Sequence, residues 1–285
     1  MSAKVLAYGE VLFDVFGDKE QIGGAPFNFA AHMALLGAQT ALKSAVGADA
    51  RGERVRDYLA RYGVEDRLLS TVAFPTGICR ETLDEAKVPQ YELVRDAAWD
   101  NIPETEAGGP YDLFYFGSLS QRSPVSAQTL KTLLGRVQAA HCLFDCNVRL
   151  PFAGEEALRL GLEHCTVCKV SREEAPMLHR FGLCGPYDDA ERAAWCAALA
   201  ERYGLQLVLL TLDRDGAAVY EAASGTLTER PARKVPVVST VGAGDSFAAA
   251  FMTAFLAGRP LGEALDAAQE LASRIIQIPG ALPER

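Results

Sequence analysis

The sequence predicts an α/β protein: a mostly parallel central sheet, helices on both of its faces, and a small β-flap laid over it. Three observations carry this prediction. Short β-rich runs alternate with helical patterns along most of the 285 residues, as in repeated βαβ units. The stretch 67–102 breaks that alternation with short runs punctuated by Pro75, Gly77 and Pro89. An apolar content of 49% in a chain of this length is enough to bury one large core, or a large core with a small appendage.

Each element follows from hydrophobic period. Residues 5–8 form a first strand, 26–36 a helix, 41–46 a second strand, and 51–62 a helix with Ala, Leu and Val on one face. The runs 71–74, 78–83 and 91–94 alternate like small antiparallel strands, and together with 13–21 they make the flap, so the lid spans about 13–21 and 67–102. Strands over 112–116, 142–145, 167–170 and 207–211 are each followed sooner or later by a helical pattern such as 126–139, 190–203 or 245–256. No repeat or low-complexity segment divides the chain, so residues 1–285 read as one domain with the lid inserted in it. Ligands of such folds sit at the carboxyl ends of the strands.

A net charge of −9, with a sequence pI near 5.1, argues against nucleic acid or an anionic membrane as partner. An anionic ligand would be held by a local cluster instead. The apolar run at the N-terminus is too short for a signal peptide and no run of 18 apolar residues occurs, so a soluble cytoplasmic protein is expected. Among the seven cysteines, Cys142-x3-Cys146 and Cys165-x2-Cys168 loosely imitate a zinc spacing. Cys165 and Cys168, three apart in a strand-like run, face opposite sides and cannot both reach one metal, so free buried thiols are the expectation.

The chemistry concentrates in Ser239-Thr240-Val241-Gly242-Ala243-Gly244-Asp245-Ser246-Phe247, between a strand-like stretch and a long Ala/Phe-rich helix. A plain capped helix start fits these residues, and so does a phosphate-holding turn with a carboxylate set beside it. The two glycines leave several N–H groups free to point at one anion, with the positive end of the helix behind them. Asp245 would then take a proton from a hydroxyl attacking the terminal phosphoryl group of a nucleotide. No Gly-x4-Gly-Lys-Ser/Thr is present, which removes the ordinary P-loop, and Phe247 stands where a dinucleotide fingerprint needs its third glycine.

Further segments complete a resemblance. Gly23-Gly24-Ala25-Pro26-Phe27-Asn28-Phe29-Ala30, followed by Gly37 and Gly47, is similar to the N-terminal signature of the ribokinase-like (PfkB-type) carbohydrate kinases, and Thr240-Val241-Gly242-Ala243-Gly244-Asp245 to their C-terminal one. The similarity runs nearly end to end, including Gly47-Ala48-Asp49-Ala50-Arg51-Gly52 and the closing Gly280-Ala281-Leu282-Pro283. Gly9-Glu10-Val11-Leu12-Phe13-Asp14, Tyr91-Glu92-Leu93, Ala98-Trp99-Asp100-Asn101-Ile102-Pro103 and Asp145-x-Asn147-x-Arg149 resemble bacterial fructokinases most. The resemblance implies a ribokinase-like three-layer sandwich with a lid, and an ATP- and Mg²⁺-dependent kinase acting on a primary sugar hydroxyl, fructose foremost.

A sugar needs short carboxylates and amides on rigid backbone, and the resemblance places Asp14, Gly24 and Asn28 on it. It also brings Asn147 and Arg149 to the site. Phe13 and Trp99 would wall the sugar or simply pack. On the nucleotide side, Lys169-Val170-Ser171-Arg172-Glu173-Glu174 resembles a family segment that usually reads Asn-x-x-Glu. Glu174 would organise Mg²⁺ through water, although Ser171 with Glu174 also fits a capping box. Thr211-Leu212-Asp213-Arg214-Asp215-Gly216 matches a nucleotide loop, with Asp213 where glycine is usual; Asp tolerates a left-handed turn. Adenine would lie between this loop and the helix around residues 271–276, whose apolar residues fit a core equally well. Ser239 replaces an Asp in a neighbourhood that supports a monovalent cation in relatives, which leaves K⁺ open.

In the implied mechanism, Asp245 is the base, backbone N–H groups of Val241, Gly242, Ala243 and Gly244 hold the phosphoryl oxygens, and Arg149 assists. Two alternatives stay open: the same chemistry on ribose, 2-keto-3-deoxygluconate or another ketose, or a non-catalytic nucleotide- or sugar-sensing protein of this fold. The exposed edge of the flap offers a route to a homodimer.

Overall fold

A computed structural model describes residues 2–83 and 89–284; positions 84–88, within the expected lid segment, lie outside the described residues. Its strands are β1 (Lys4–Tyr8), β2 (Leu12–Phe16), β3 (Lys19–Gly23), β4 (Gln39–Gly47), β5 (Val64–Glu65), β6 (Leu69–Val72), β7 (Gly77–Leu83), β8 (Pro89–Leu93), β9 (Tyr111–Gly117), β10 (Ala139–Asp145), β11 (Val167–Ser171), β12 (Leu207–Thr211), β13 (Ala217–Glu221) and β14 (Thr226–Arg230). The helices are α1 (Ala25–Leu35), α2 (Ala50–Tyr62), α3 (Pro124–Arg136), α4 (Glu155–His164), α5 (Ala175–Arg180), α6 (Arg192–Tyr203), α7 (Ala243–Leu256) and α8 (Leu261–Ile275).

The main sheet runs β14-β13-β12-β11-β10-β9-β1-β4-β5, with β6 also on β4. Pairing is parallel from β12 through β5, and the hairpin β13–β14 closes one edge antiparallel. Strand alternation divides the apolar side chains between two cores. Val5, Leu113, Leu143, Val167 and Leu209 pack with α1, α2, α7 and α8, whereas Leu6, Phe114, Phe144, Cys168 and Leu210 pack with α3, α4, α5 and α6. This is the expected three-layer sandwich. From β1 the chain moves outward to β4 on one side and later returns to β9 on the other, so the connections part at β1 and open a crevice over its carboxyl end.

A second, separate sheet, β3-β2-β7-β8, forms the lid. The expectation of antiparallel lid strands holds for β2–β3 and β7–β8, whereas β2 and β7 pair in parallel. The run 71–74 does not belong to the lid. Leu69–Val72 pairs in parallel with Ser44–Gly47, because β4 is nine residues long and extends beyond its short pairing with β5, leaving an edge that β6 completes. The two aromatics of this region are packed against arginines. Phe13 is buried beneath Arg54, and Trp99 lies under the Arg122 guanidinium, 3.9 Å from its ring centre.

Two polar clamps, one buried and one half-buried, fix the lid to the body. Arg122 donates two hydrogen bonds of 2.8 Å to Asp100 and reaches the carbonyls of Leu93 and Val94 at the root of β8. Asp49, the N-cap of α2, accepts from the Gly52 amide at 2.8 Å, the Thr76 amide at 2.8 Å and the Thr76 hydroxyl at 2.7 Å, and Gly47 N–H donates to that same hydroxyl at 2.9 Å. Burial works against the Asp49 charge, but the Thr76 and Gly52 donors outweigh it and hold the carboxyl below its usual range. The Asp49 contribution is therefore present above the ordinary carboxylate pKa and is lost as pH falls through the lowered one. Asp49→Ala removes a cap and leaves the Thr76 amide unpaired, so chemical denaturation should show a loss of about 1–3 kcal/mol. An unchanged midpoint would contradict this role.

Candidate active site

The strand period that separates the two cores also delivers the site. Tyr115, Asp145, Lys169 and Thr211 lie on the sheet face covered by α1 and α7, each two positions beyond an apolar residue of that core. Asp145 and Lys169 stand opposite one another in the β10–β11 register, and Lys169 Nζ bonds both Asp145 oxygens at 2.9 and 3.0 Å. Tyr115 donates its hydroxyl to Asp145 at 3.3 Å. Burial opposes the Lys169 charge, yet Asp145, Glu174 and Asp245 around it raise its pKa above the ordinary lysine value.

Over this pair sits the glycine turn. Gly242 is the N-cap of α7 with φ +76, and a Cβ there would come within 2.4 Å of Ala281 Cβ, so only glycine fits both the conformation and the space. A Cβ on Gly244 would lie 3.2 Å from Lys169 Nζ, which puts the ammonium directly beneath the turn. First-turn amides of α7 and the helix dipole face the same space. Asp245 is the third residue of α7, buried, and its Oδ2 accepts from Asn28 Nδ2 at 2.8 Å. Burial pushes its carboxyl up to about 6 with help from the Asp145 charge, while Asn28, Lys169 and Arg149 pull it back.

Asn28 is placed by α1, whose N-cap is Gly24 with φ +106. A Cβ on Gly24 would meet the Glu10 carbonyl oxygen at 2.5 Å, so the start of α1 presses against the loop leaving β1. Asp14 stands on the lid, in register with Gln21 and Cys79, and lines a groove of about 660 Å³ with Gln21, Tyr58, Tyr62 and Pro279. Arg149 is exposed on the loop after β10, and its charge favours ionisation of both Glu10 and Asp245. Asn147, with φ +34, turns the chain toward it.

The nucleotide-side residues are contiguous with this cluster. Ser171 faces Thr211 across β11–β12, and the Thr211 carbonyl accepts from Arg172 N at 2.9 Å. Asp213 adopts φ +51, the left-handed turn expected of it, and Gly216 closes the loop with φ +121. Glu174 forms the capping box: Oε2 accepts from Ser171 N at 2.8 Å and Ser171 Oγ from Glu174 N at 3.2 Å, while Glu174 Oε1 accepts from Val148 N at 2.6 Å. Glu174 thus ties the Arg149 loop to the nucleotide side. Among the described residues no three His, Cys, Asp or Glu side chains converge to cage a metal. Ser239 Oγ accepts from Val241 N at 3.2 Å and so shapes the entry to the glycine turn.

Sequence reasoning missed the roles of Asp145 and Glu10. Asp145 is wholly buried against Lys169, and the two-residue side-chain period across neighbouring parallel strands was the available signal. Glu10 lies two residues beyond Tyr8, the last residue of β1, a position just past a strand terminus where a buried acid is unexpected.

Known proteins share the fold and the sequence pattern of this chain. The model of the pfkB family of carbohydrate kinases matches residues 2–284. A fructokinase of Salmonella typhimurium is 27% identical, with 90% of this chain and 86% of that protein covered. A 5-dehydro-2-deoxygluconokinase of Geobacillus thermodenitrificans is 26% identical, with coverage of 90% and 78%. The crystal structure of an uncharacterised sugar kinase from Pyrococcus horikoshii in complex with ATP superposes with a TM-score of 0.80 at 25% identity, covering 97% of this chain and 93% of that one. With its ribokinase-like fold and a family match along almost its whole length, the chain belongs to the pfkB family of carbohydrate kinases.

Proposed function

We propose that this sugar kinase transfers the γ-phosphoryl group of ATP to a primary hydroxyl of a monosaccharide, with fructose as the leading acceptor, and that Asp245 is the base. The observation that carries the reading is the meeting of three features at one point: the Asp245 carboxylate on Asn28, the Lys169 ammonium under Gly244, and the amino end of α7. A base, a cation and an oriented set of amides are what in-line phosphoryl transfer asks of a protein.

The acceptor lies between the lid and α1, held by Asp14, the Gly24 backbone and Asn28, with Asn147 at its edge. Asp245 accepts the hydroxyl proton as that oxygen attacks phosphorus, and the amides of residues 241–244 with Lys169 hold the equatorial oxygens. Arg149 reaches over the reacting groups from its exposed loop. Mg²⁺, when bound with ATP, neutralises charge between its phosphates, and Glu174 holds its waters. The Thr211–Gly216 loop, with Asp213 at its turn and Ser171 beside it, borders the nucleotide; exposed Val237 and Val238, whose segment is tied to Ile276 at the end of α8, offer an apolar surface for the base. Fructose is favoured by the fructokinase relative and by the Asp145-x-Asn147-x-Arg149 segment, while the similarly distant deoxygluconokinase keeps other ketoses in the comparison.

An ATP-consumption assay over fructose, ribose, 2-keto-3-deoxygluconate and related ketoses should give the highest kcat/KM with fructose, and a higher value for another sugar would overturn that assignment. Asp245→Asn is expected to retain nucleotide binding by calorimetry while turnover falls roughly 10²–10⁴-fold; near-normal turnover would refute the base. Because the base must be ionised, kcat/KM should fall as pH drops through about 6, where the buried Asp245 gains its proton. An acidic limb at the ordinary aspartate value would mean another group is titrating.

A further inference from the structure

Of the buried acids at this end of the sheet, one leaves a carboxyl oxygen without a partner among the described residues. Asp145 is bonded to Lys169, Asp100 to Arg122 and Asp245 to Asn28. Glu10 is only 3% exposed, and its Oε2 has no hydrogen-bond partner among the described residues. The residue sits at the carboxyl end of β1, at the point where the sheet connections part, with its carbonyl oxygen against Gly24 at the start of α1. A second buried atom in the same neighbourhood is also left open: Asn28 Oδ1, on the amide whose nitrogen is bonded to Asp245.

An ionised carboxylate buried without a bonded cation is costly, and protonation removes most of that cost. A protonated Glu10 carries an O–H donor on an oxygen that has no partner among the described residues, and Asn28 Oδ1, on the residue that bonds Asp245, is an open acceptor. A hydroxyl-bearing ligand answers both, since each hydroxyl donates once and accepts twice.

Resting on the kinase reading above, we propose that Glu10 is a further acceptor-binding residue that works as a neutral acid, donating from Oε2 to an oxygen of the bound sugar while Asn28 Oδ1 accepts from a sugar hydroxyl. The acceptor class this selects is a polyol with a free donor and a free acceptor oxygen on neighbouring positions. Ionisation of Glu10 removes the donor and adds a second negative charge beside Asp245.

The surroundings favour the neutral form near pH 6–7. Burial first, and then the Asp245 charge, push the Glu10 carboxyl up to about 7, while its own amide, the Ala25 amide at the head of α1 and the Arg149 charge pull it down. The Glu10 charge also acts on Tyr115 of β9 and, from the other face of the sheet, on Tyr8 of β1, and burial keeps both phenols neutral. The working state therefore has Asp245 ionised and Glu10 protonated. Sugar binding weakens as pH rises through about 7.

The test compares the wild type, Glu10→Ala and Glu10→Gln, each assayed for kcat/KM toward the best sugar of the panel between pH 5.5 and 9. Glu10→Ala should raise the sugar KM and lower kcat/KM roughly 10- to 100-fold, the range for a lost buried hydrogen bond, with the ATP KM little changed. Glu10→Gln, which restores a neutral donor of the same length, should recover most of that loss and abolish the decline above pH 7. A glutamine variant as impaired as alanine, or one that keeps the alkaline decline, would overturn the proposal. If Glu10→Ala does not fold, the pH profile of Glu10→Gln decides alone. Failure of the kinase reading would look different, because the wild type itself would then turn over no sugar in the panel, and both proposals would fall.

Discussion

One buried ammonium sits among three acids, Asp145, Glu174 and Asp245, at the end of this sheet. Lys169 lies within 3.0 Å of both Asp145 oxygens, under the Gly244 backbone, and its charge acts on Asp245. Without it, Asp145 and Asp245 would face each other in a low-dielectric site, where like charges repel most strongly and the easiest relief is protonation. A base that is protonated at neutral pH is no base. The ammonium of the pair also lies below the amides of α7, so in the proposed function one group would both meet the phosphoryl anion and favour an ionised Asp245. Removing either partner leaves a buried charge uncompensated, which is far more damaging than removing the pair together.

The rest of the fold holds that cluster in position and brings the lid to it. Residues 279–283 act as a brace: the Pro279 carbonyl accepts from Gln21 of the lid, the Ala281 carbonyl meets His32 of α1 at 2.9 Å, the Pro283 carbonyl accepts from Tyr62 of α2, and Ala281 packs against Gly242. Burial lowers His32 to about 4, so its ring is neutral and serves this contact without adding charge. At the other end of the lid, the Arg122–Asp100 clamp also stacks on Phe152, whose amide is bonded to the Arg149 carbonyl. The lid root and the Arg149 loop are thereby parts of one packed unit.

Much of this was legible in the sequence. The βα alternation gave the three layers, and the strands at 5–8, 112–116 and 207–211 agree with the observed ones to within about a residue at each end. Asn28 and Asp245, 217 positions apart, do meet, and Asp213 does take the left-handed turn assigned to it. What could not be read was partner choice. The run near residue 71 has the composition of a lid strand, but a free edge on β4 captures it, and edges are a property of the assembled sheet. Likewise Glu10 looks in the sequence like an acid in a turn, and only burial beside Asp245 gives it chemistry. Phe13 and Trp99 were ambiguous because an aromatic that packs and one that walls a ligand have the same local signature.

The central claim is that Asp245 takes the proton of the acceptor hydroxyl at the head of α7. A crystal structure of the protein with fructose and a non-hydrolysable ATP analogue tests it most directly. The account predicts an Asp245 carboxylate oxygen within about 3.2 Å of the primary hydroxyl, with the γ-phosphate seated over residues 242–244. A hydroxyl held by a different group, or a phosphate bound away from that turn, would contradict it.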